Sequence, residues 1–199
     1  MKRIFALSTV CLGILLISSC SKIPVASFTM DSTVFKMNKP IAFTCQSDGS
    51  KDFSWDFGDG KKSTDENPTH TYTSSGDFTV SLVVSNGAGS DSTSQIITVI
   101  PDVTGYWLLS MRYSGYSSQS QTLTLTQHDD NTITGRVSST DYPAGNDIGP
   151  NSKIIGDSVM FTFAGSTTKL NGKVAPNGKT MSGKVLGASV NGTWSASSL

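Results

Sequence analysis

Two aspartates three residues apart, Asp56 and Asp59, lie in the stretch "FSWDFGDG" among glycines. Such a pair has two possible chemistries, calcium ligation or a general acid and base. An EF-hand-like loop needs oxygen ligands at alternating positions and a distal glutamate. "DFGDGKKSTDE" lacks that pattern, and Lys61 and Lys62 oppose a cation. Paired-carboxylate catalysis needs a cleft that holds the substrate between the two acids, and no insertion here supplies one. The second acidic cluster, His128-Asp129-Asp130, reads as a solvated turn. The two histidines, His70 and His128, fall in different halves of the chain. The sequence has no nucleophile elbow, zinc-ligand spacing, phosphate loop or dinucleotide fingerprint. The expectation is a protein that is not an enzyme and uses no metal or cofactor.

The elements around these residues are short alternating runs. They are rich in Val, Ile, Thr, Phe and Trp and are broken by Gly, Asn, Asp and Pro, which is the all-β signal. Phe53, Trp55 and Phe57 share one face of a strand. Phe78, Val80, Leu82 and Val84 share another, and Ile41, Phe43 and Cys45 a third. Such period-2 faces pack into a sandwich. The composition changes near "VIPDVTG", where Pro101 suits a boundary. The expected organisation is a β-sandwich over 25–100 and an antiparallel β-barrel over 103–199.

"WDFGDG", "NPTHTY" and "GDFTVSLVVSNGAGSDS" resemble, in order and spacing, the PKD domain, an immunoglobulin-like module. In this reading Trp55 anchors the core. Gly58 and Gly60 give the corner its backbone freedom. Asp56 and Asp59 accept hydrogen bonds from turn N–H groups. His70 packs near the corner, and the Tyr72 hydroxyl bonds to backbone. The resemblance implies protein or carbohydrate contact, or a spacer role.

The N-terminus "MKRIFALSTVCLGILLISSC" has two basic residues, a short apolar run and small residues before a cysteine. That is the pattern of a secretory signal, here residues 1–19. Its "LISSC" end resembles the lipobox of bacterial lipoproteins, which implies lipidation of Cys20 and a short tether over 20–24. Ser21 and Lys22 follow with no acidic run, which resembles lipoproteins of the outer membrane that face the periplasm. Without the signal, 13 basic residues stand against 15 acidic ones. The net charge of −2 leaves no electrostatic footprint for nucleic acid. Cys45 is then the one cysteine left in the fold, so no intrachain disulfide forms.

In the second half, "ITGRV", "LNGKV", "MSGKV" and "VNGTW" all read apolar–x–Gly–x–apolar. On strands this points Gly135, Gly172, Gly183 and Gly192 inward, and inward glycines let strands coil into a small barrel. Leu123, Leu125, Val159, Phe161 and Phe163 are expected inside with Trp107 and Trp194. A meander of about eight strands follows. "TGYW" and "GTW" resemble lipocalin-like and avidin-like barrels in pattern, with Gly105 and Trp107 at a first-strand Gly-x-Trp.

Candidate binding residues fall in two polar segments. Tyr113 and Tyr116 lie in "RYSGYSSQS", and Tyr142, Asn146 and Asp147 in the loop "SSTDYPAGNDIGPNS". Exposed aromatics beside Asn and Asp suit stacking on sugars. The expected function is a non-catalytic, monomeric cell-envelope lipoprotein. It would hold to the membrane by its lipid and present the barrel to a protein or glycan partner. The alternatives are a periplasmic small-ligand carrier using the barrel interior, and a protease-inhibitor-like barrel.

Overall fold

The computed structural model describes residues 22–113, 118–138, 146–187 and 191–199. No helix occurs among them. The first half contains nine strands: β1 (Phe28–Thr29), β2 (Val34–Lys36), β3 (Pro40–Ala42), β4 (Thr44–Cys45), β5 (Asp52–Asp56), β6 (Lys62–Ser63), β7 (Thr69–Thr71), β8 (Gly76–Asn86) and β9 (Gly89–Ile100). One sheet runs β2-β9-β8-β5-β6, with β2 parallel to β9. The pairs β1–β4 and β3–β7 supply the other strands. Alternation along β5 and β8 turns Trp55, Val80, Leu82 and Val84 inward, where each is fully buried. Aromatic rings fill the middle. Phe28 meets Trp55 edge-on at 5.1 Å, and Phe43 meets Phe57 at 5.4 Å.

The run "IAFTCQS", expected as one strand, is two. β3 pairs with β7 and β4 with β1, and the break falls at Phe43. The Phe43 N–H donates to the Pro68 carbonyl at 2.9 Å, so the backbone stays satisfied while the chain changes partner.

The second half is one antiparallel meander: β10 (Gly105–Tyr113), β11 (Gln119–Gln127), β12 (Ile133–Ser138), β13 (Asn146–Asp147), β14 (Lys153–Ile155), β15 (Ser158–Thr162), β16 (Lys169–Val174), β17 (Thr180–Leu186) and β18 (Asn191–Ser198). The first and last strands, β10 and β18, pair with each other. The free ends of the sheet meet through bridges Thr132–Lys153 and Ile148–Phe163. β13 and β14 act as one interrupted stave, so the wall is a nearly closed barrel of eight strands. The interior is filled by Trp107, Leu109, Leu123, Leu125, Phe161 and Trp194, all buried.

The inward glycines are there because nothing larger fits. Gly172 and Gly183 face each other across β16 and β17. A Cβ on Gly172 would meet the Trp194 ring at 2.6 Å, and one on Gly183 would strike the Asn171 carbonyl. The strands therefore sink onto Trp194, which bends the wall.

The segment 138–152, expected as one long loop, is partly wall. Asn146 and Asp147 pair with β12, and Ile148 and Ser152 are buried. Closure requires this. The Ile148 N–H donates to the Gly135 carbonyl at 2.8 Å, and Gly149 N–H to Thr162 O at 2.7 Å.

The barrel end bearing the β16–β17 turn rests on the sandwich. Ser75 N–H donates to the Pro176 carbonyl at 2.9 Å, and Lys36 Nζ lies 3.2 Å from Asp129.

Candidate functional site

The acidic corner is built by the end of β5 and the turn into β6. Gly58 and Gly60 sit at φ of 78° and 86°, the left-handed region in which glycine is at ease. A Cβ on Gly58 would also meet the Thr79 carbonyl at 2.7 Å. The carboxylates are held by the turn itself. Asp56 Oδ1 accepts the Gly58 N–H, and Asp59 Oδ1 the Lys61 N–H, each at 3.0 Å. Asp56 Oδ2 pairs with Lys62 at 3.0 Å, and Asp59 Oδ2 with His70 Nε2 at 2.8 Å. The Gly58 N–H, and after it Lys62, hold the Asp56 carboxyl below its ordinary pKa. His70 stacks on Phe57 with ring centroids 4.2 Å apart. The Tyr72 hydroxyl donates to the Phe57 carbonyl at 2.8 Å. Burial, with Asp59 and Asp56 nearby, pushes the Tyr72 pKa up. Every carboxylate oxygen of the corner has a partner, so its arrangement is structural.

The second acidic cluster behaves alike. Asp130 Oδ1 accepts the Thr132 N–H and hydroxyl, and His128 Nε2 lies 2.8 Å from Thr134 Oγ1.

The barrel end away from the sandwich is different. Strand directions bring to it the ends of β10, β12, β15 and β17 and the starts of β11, β13, β16 and β18. A cleft of about 320 Å³ opens here, lined by Met111, Tyr113, Gln121, Val137, Phe163 and Thr168 among others. Tyr113, expected to be exposed, is half-buried because its ring packs against the barrel core. Its hydroxyl donates to Met111 Sδ at 3.2 Å, and burial raises its pKa. Phe163, expected in the middle of the barrel, lies half-buried at this rim. Asp147 is exposed and pairs with Arg136 at 3.6 Å. Of Asn146 the backbone is placed, on β13. Tyr116 and Tyr142 lie outside the described residues, as does Cys20.

The structure thus brings Tyr113 and the 146–147 strand to one end of the molecule. Met111, Gln121 and Thr168 were missed as lining residues. Met111 shares the inward parity of Trp107 and Leu109, and that parity was its one signal in the sequence.

The family model described as "PKD domain" matches residues 25–99. Collagenase ColQ1 of Bacillus cereus is 41% identical over an alignment of 64 residues that covers 29% of this chain and 7% of that protein. Collagenase ColA of Clostridium perfringens is 36% identical over 87 residues, covering 41% of this chain and 8% of its own. The chain therefore spans less than a tenth of the length of these relatives. Among solved structures, the PKD1 domain of the Vibrio cholerae metalloprotease PrtV is 31% identical with a TM-score of 0.34, covering 39% of this chain and 98% of that one. The PKD1 domain of Vibrio anguillarum Epp is 27% identical with a TM-score of 0.35, covering 40% and 95%. The collagenase matches fall in the PKD part alone, and the barrel lies beyond the family match. Residues 25–99 of this chain are a PKD domain, followed by a separate antiparallel barrel.

Proposed function

We propose that this protein is a non-catalytic, lipid-anchored binding module of the bacterial outer membrane, facing the periplasm. Its PKD domain acts as a spacer, and the far end of its barrel contacts a protein or glycan partner. The observation that carries this reading is the aromatic-edged cleft on the end opposite the sandwich. A rigid frame with connections at its rim is the usual way a fold positions a binding surface. The match to a PKD domain fits a binding or adhesion module. Collagenase activity is not carried over, since the shared segment is a small part of those enzymes. The carrier reading loses support because Trp107, Trp194 and Phe161 occupy the barrel interior.

Two experiments test this function. A photo-crosslinking residue placed at Gln121 or Thr168 should give adducts with another envelope molecule in living cells. The same residue at Ser94, on the sandwich sheet, should give none with that molecule. Adducts with a molecule other than this chain, confined to the Ser94 position, would reverse the roles of the two domains. For the anchor, the wild-type protein should incorporate labelled fatty acid and Cys20→Ala should not. An unlabelled wild type removes the lipoprotein assignment.

A further inference from the structure

The outer face of β14–β17 carries a second concavity, and its chemistry differs from that of the rim. It is a groove of about 730 Å³ on the side of the barrel. Its cause is the Gly172–Gly183 pair, which lets the wall sink onto Trp194 and dents the surface outside. Ile155 is 65% exposed and Leu186 41% exposed, with Met160 half-buried between them. Lys153, Lys173 and Lys184 surround these side chains. Lys173 is neutralised by Asp157 at 2.8 Å. Lys153 and Lys184 make no ion pair among the described residues. The groove is thus aliphatic with two uncompensated positive charges.

The complementary surface is present in the same chain. The outward face of β5, β8 and β9 exposes Val83 at 43% and Ile96 at 65%. Asp52 and Asp77 share that outward face, while Asp56 is offset by Lys62. The two halves differ in charge as wholes. Residues 22–102 hold six lysines against nine aspartates and one glutamate, and residues 103–199 hold seven basic residues against five aspartates.

We infer that the β14–β17 groove docks the outward PKD sheet of a second copy of this chain, in a head-to-tail contact. Exposed aliphatic side chains meet at its centre, and the lysine-rimmed groove faces a sheet whose uncompensated charged side chains, Asp52 and Asp77, are acidic. Both surfaces remain available on each copy, so the contact is heterologous and propagates into short chains unless the rotation closes. The rim that carries the proposed partner contact stays free in such an array. This inference takes the place of the monomer expected from the sequence and stands independently of the rim's role.

The test is sedimentation velocity of the purified full chain over a concentration series, with reversed-charge variants. The wild type should associate, and association should weaken about tenfold or more in high salt, because the charge pairs are screened. Lys153→Glu with Lys184→Glu should sediment as a monomer, and so should Asp52→Lys with Asp77→Lys. All four side chains are exposed, so circular dichroism should be unchanged. An equal mixture of the two double variants should associate again, since each supplies the charges that the other lost. A monomeric wild type at the highest concentration overturns the inference. So does association that persists in both variants, which would point to the apolar N-terminal run. Binding of phosphatidylglycerol vesicles that is lost in the lysine variant, without self-association in the wild type, would assign the groove to lipid instead.

Discussion

The PKD corner and the barrel rim use similar residues to opposite ends. Both place aromatic rings near an aspartate. At the corner, Asp56 and Asp59 have partners on all four oxygens, and His70 and Tyr72 are locked between Phe57 and neighbouring groups. At the rim, Asp147 is exposed on a 3.6 Å ion pair, and Tyr113 has a weak sulfur acceptor for its hydroxyl. A carboxylate that has spent its oxygens on its own turn has none left for a ligand. One with a loose surface partner can exchange it. The contrast separates acids committed to their own turn from acids left exchangeable better than their sequence neighbourhoods do.

The largest effects should come from the corner's core. Trp55 is fully buried among Phe28, Phe43 and Phe57, with its Nε1–H on the Asp65 carbonyl at 2.9 Å. Trp55→Ala should cost about 3–5 kcal/mol in chemical denaturation, as large core aromatics do. Next is Tyr72→Phe. It keeps the ring and leaves the Phe57 carbonyl without its donor, so about 1–3 kcal/mol should be lost. A loss below a few tenths would mean that water takes the hydroxyl's place. Added calcium or EDTA should leave the melting temperature unmoved. A chelator-induced drop would show metal at the corner, since a metal bound to the native state must stabilise it.

Much of this was legible in the sequence, for physical reasons. Strand parity alone places Trp55, Val80, Leu82 and Val84 in the sandwich core, and the apolar–x–Gly–x–apolar pattern places Gly172 and Gly183 inside the barrel. Those are local rules with a period of two. The closing stave was not legible. Ile148 and Ser152 read as loop because their pairing partners, Phe163 and the 131–135 strand start, lie far away and follow no local pattern. Tyr113 was misjudged for a related reason. Its exposure depends on where the barrel ends, and a strand's parity does not say how many of its residues remain within the wall.

A smaller effect should appear in acid. Asp56 has a folded-state pKa below its unfolded value, so its contribution is fully present above the unfolded range of about 4. It is lost as pH falls through the folded value. Asp157, held down mainly by Lys173, and Asp130, held down by Thr132, act in the same direction in the barrel. Melting temperature should therefore fall below about pH 4 in both halves. Asp56→Asn should flatten that slope by lowering stability at neutral pH towards the value that the wild type has in acid. An unchanged slope would mean that Asp56 is equally perturbed in the unfolded chain.

The sharpest test of the comparison, and in its rim member the smallest effect on stability, is expected from matched aspartate substitutions. Asp59→Ala removes the acceptor of the Lys61 N–H and the partner of His70, whose side chain is 13% exposed. About 1.5–3 kcal/mol should be lost, the range for hydrogen bonds that involve a charged group. Asp147→Ala removes one exposed ion pair with Arg136, and such pairs are worth about 0–1 kcal/mol. Its melting curve should overlay the wild type, and its effect should fall on the partner captured by crosslinking at Gln121 or Thr168. Equal destabilisation by the two substitutions would break the contrast between corner and rim. Loss of the crosslink in Asp59→Ala alone would move binding to the PKD corner. A stable Asp147→Ala with a weakened crosslink, beside a destabilised Asp59→Ala with an intact one, is what the roles proposed for the two ends predict.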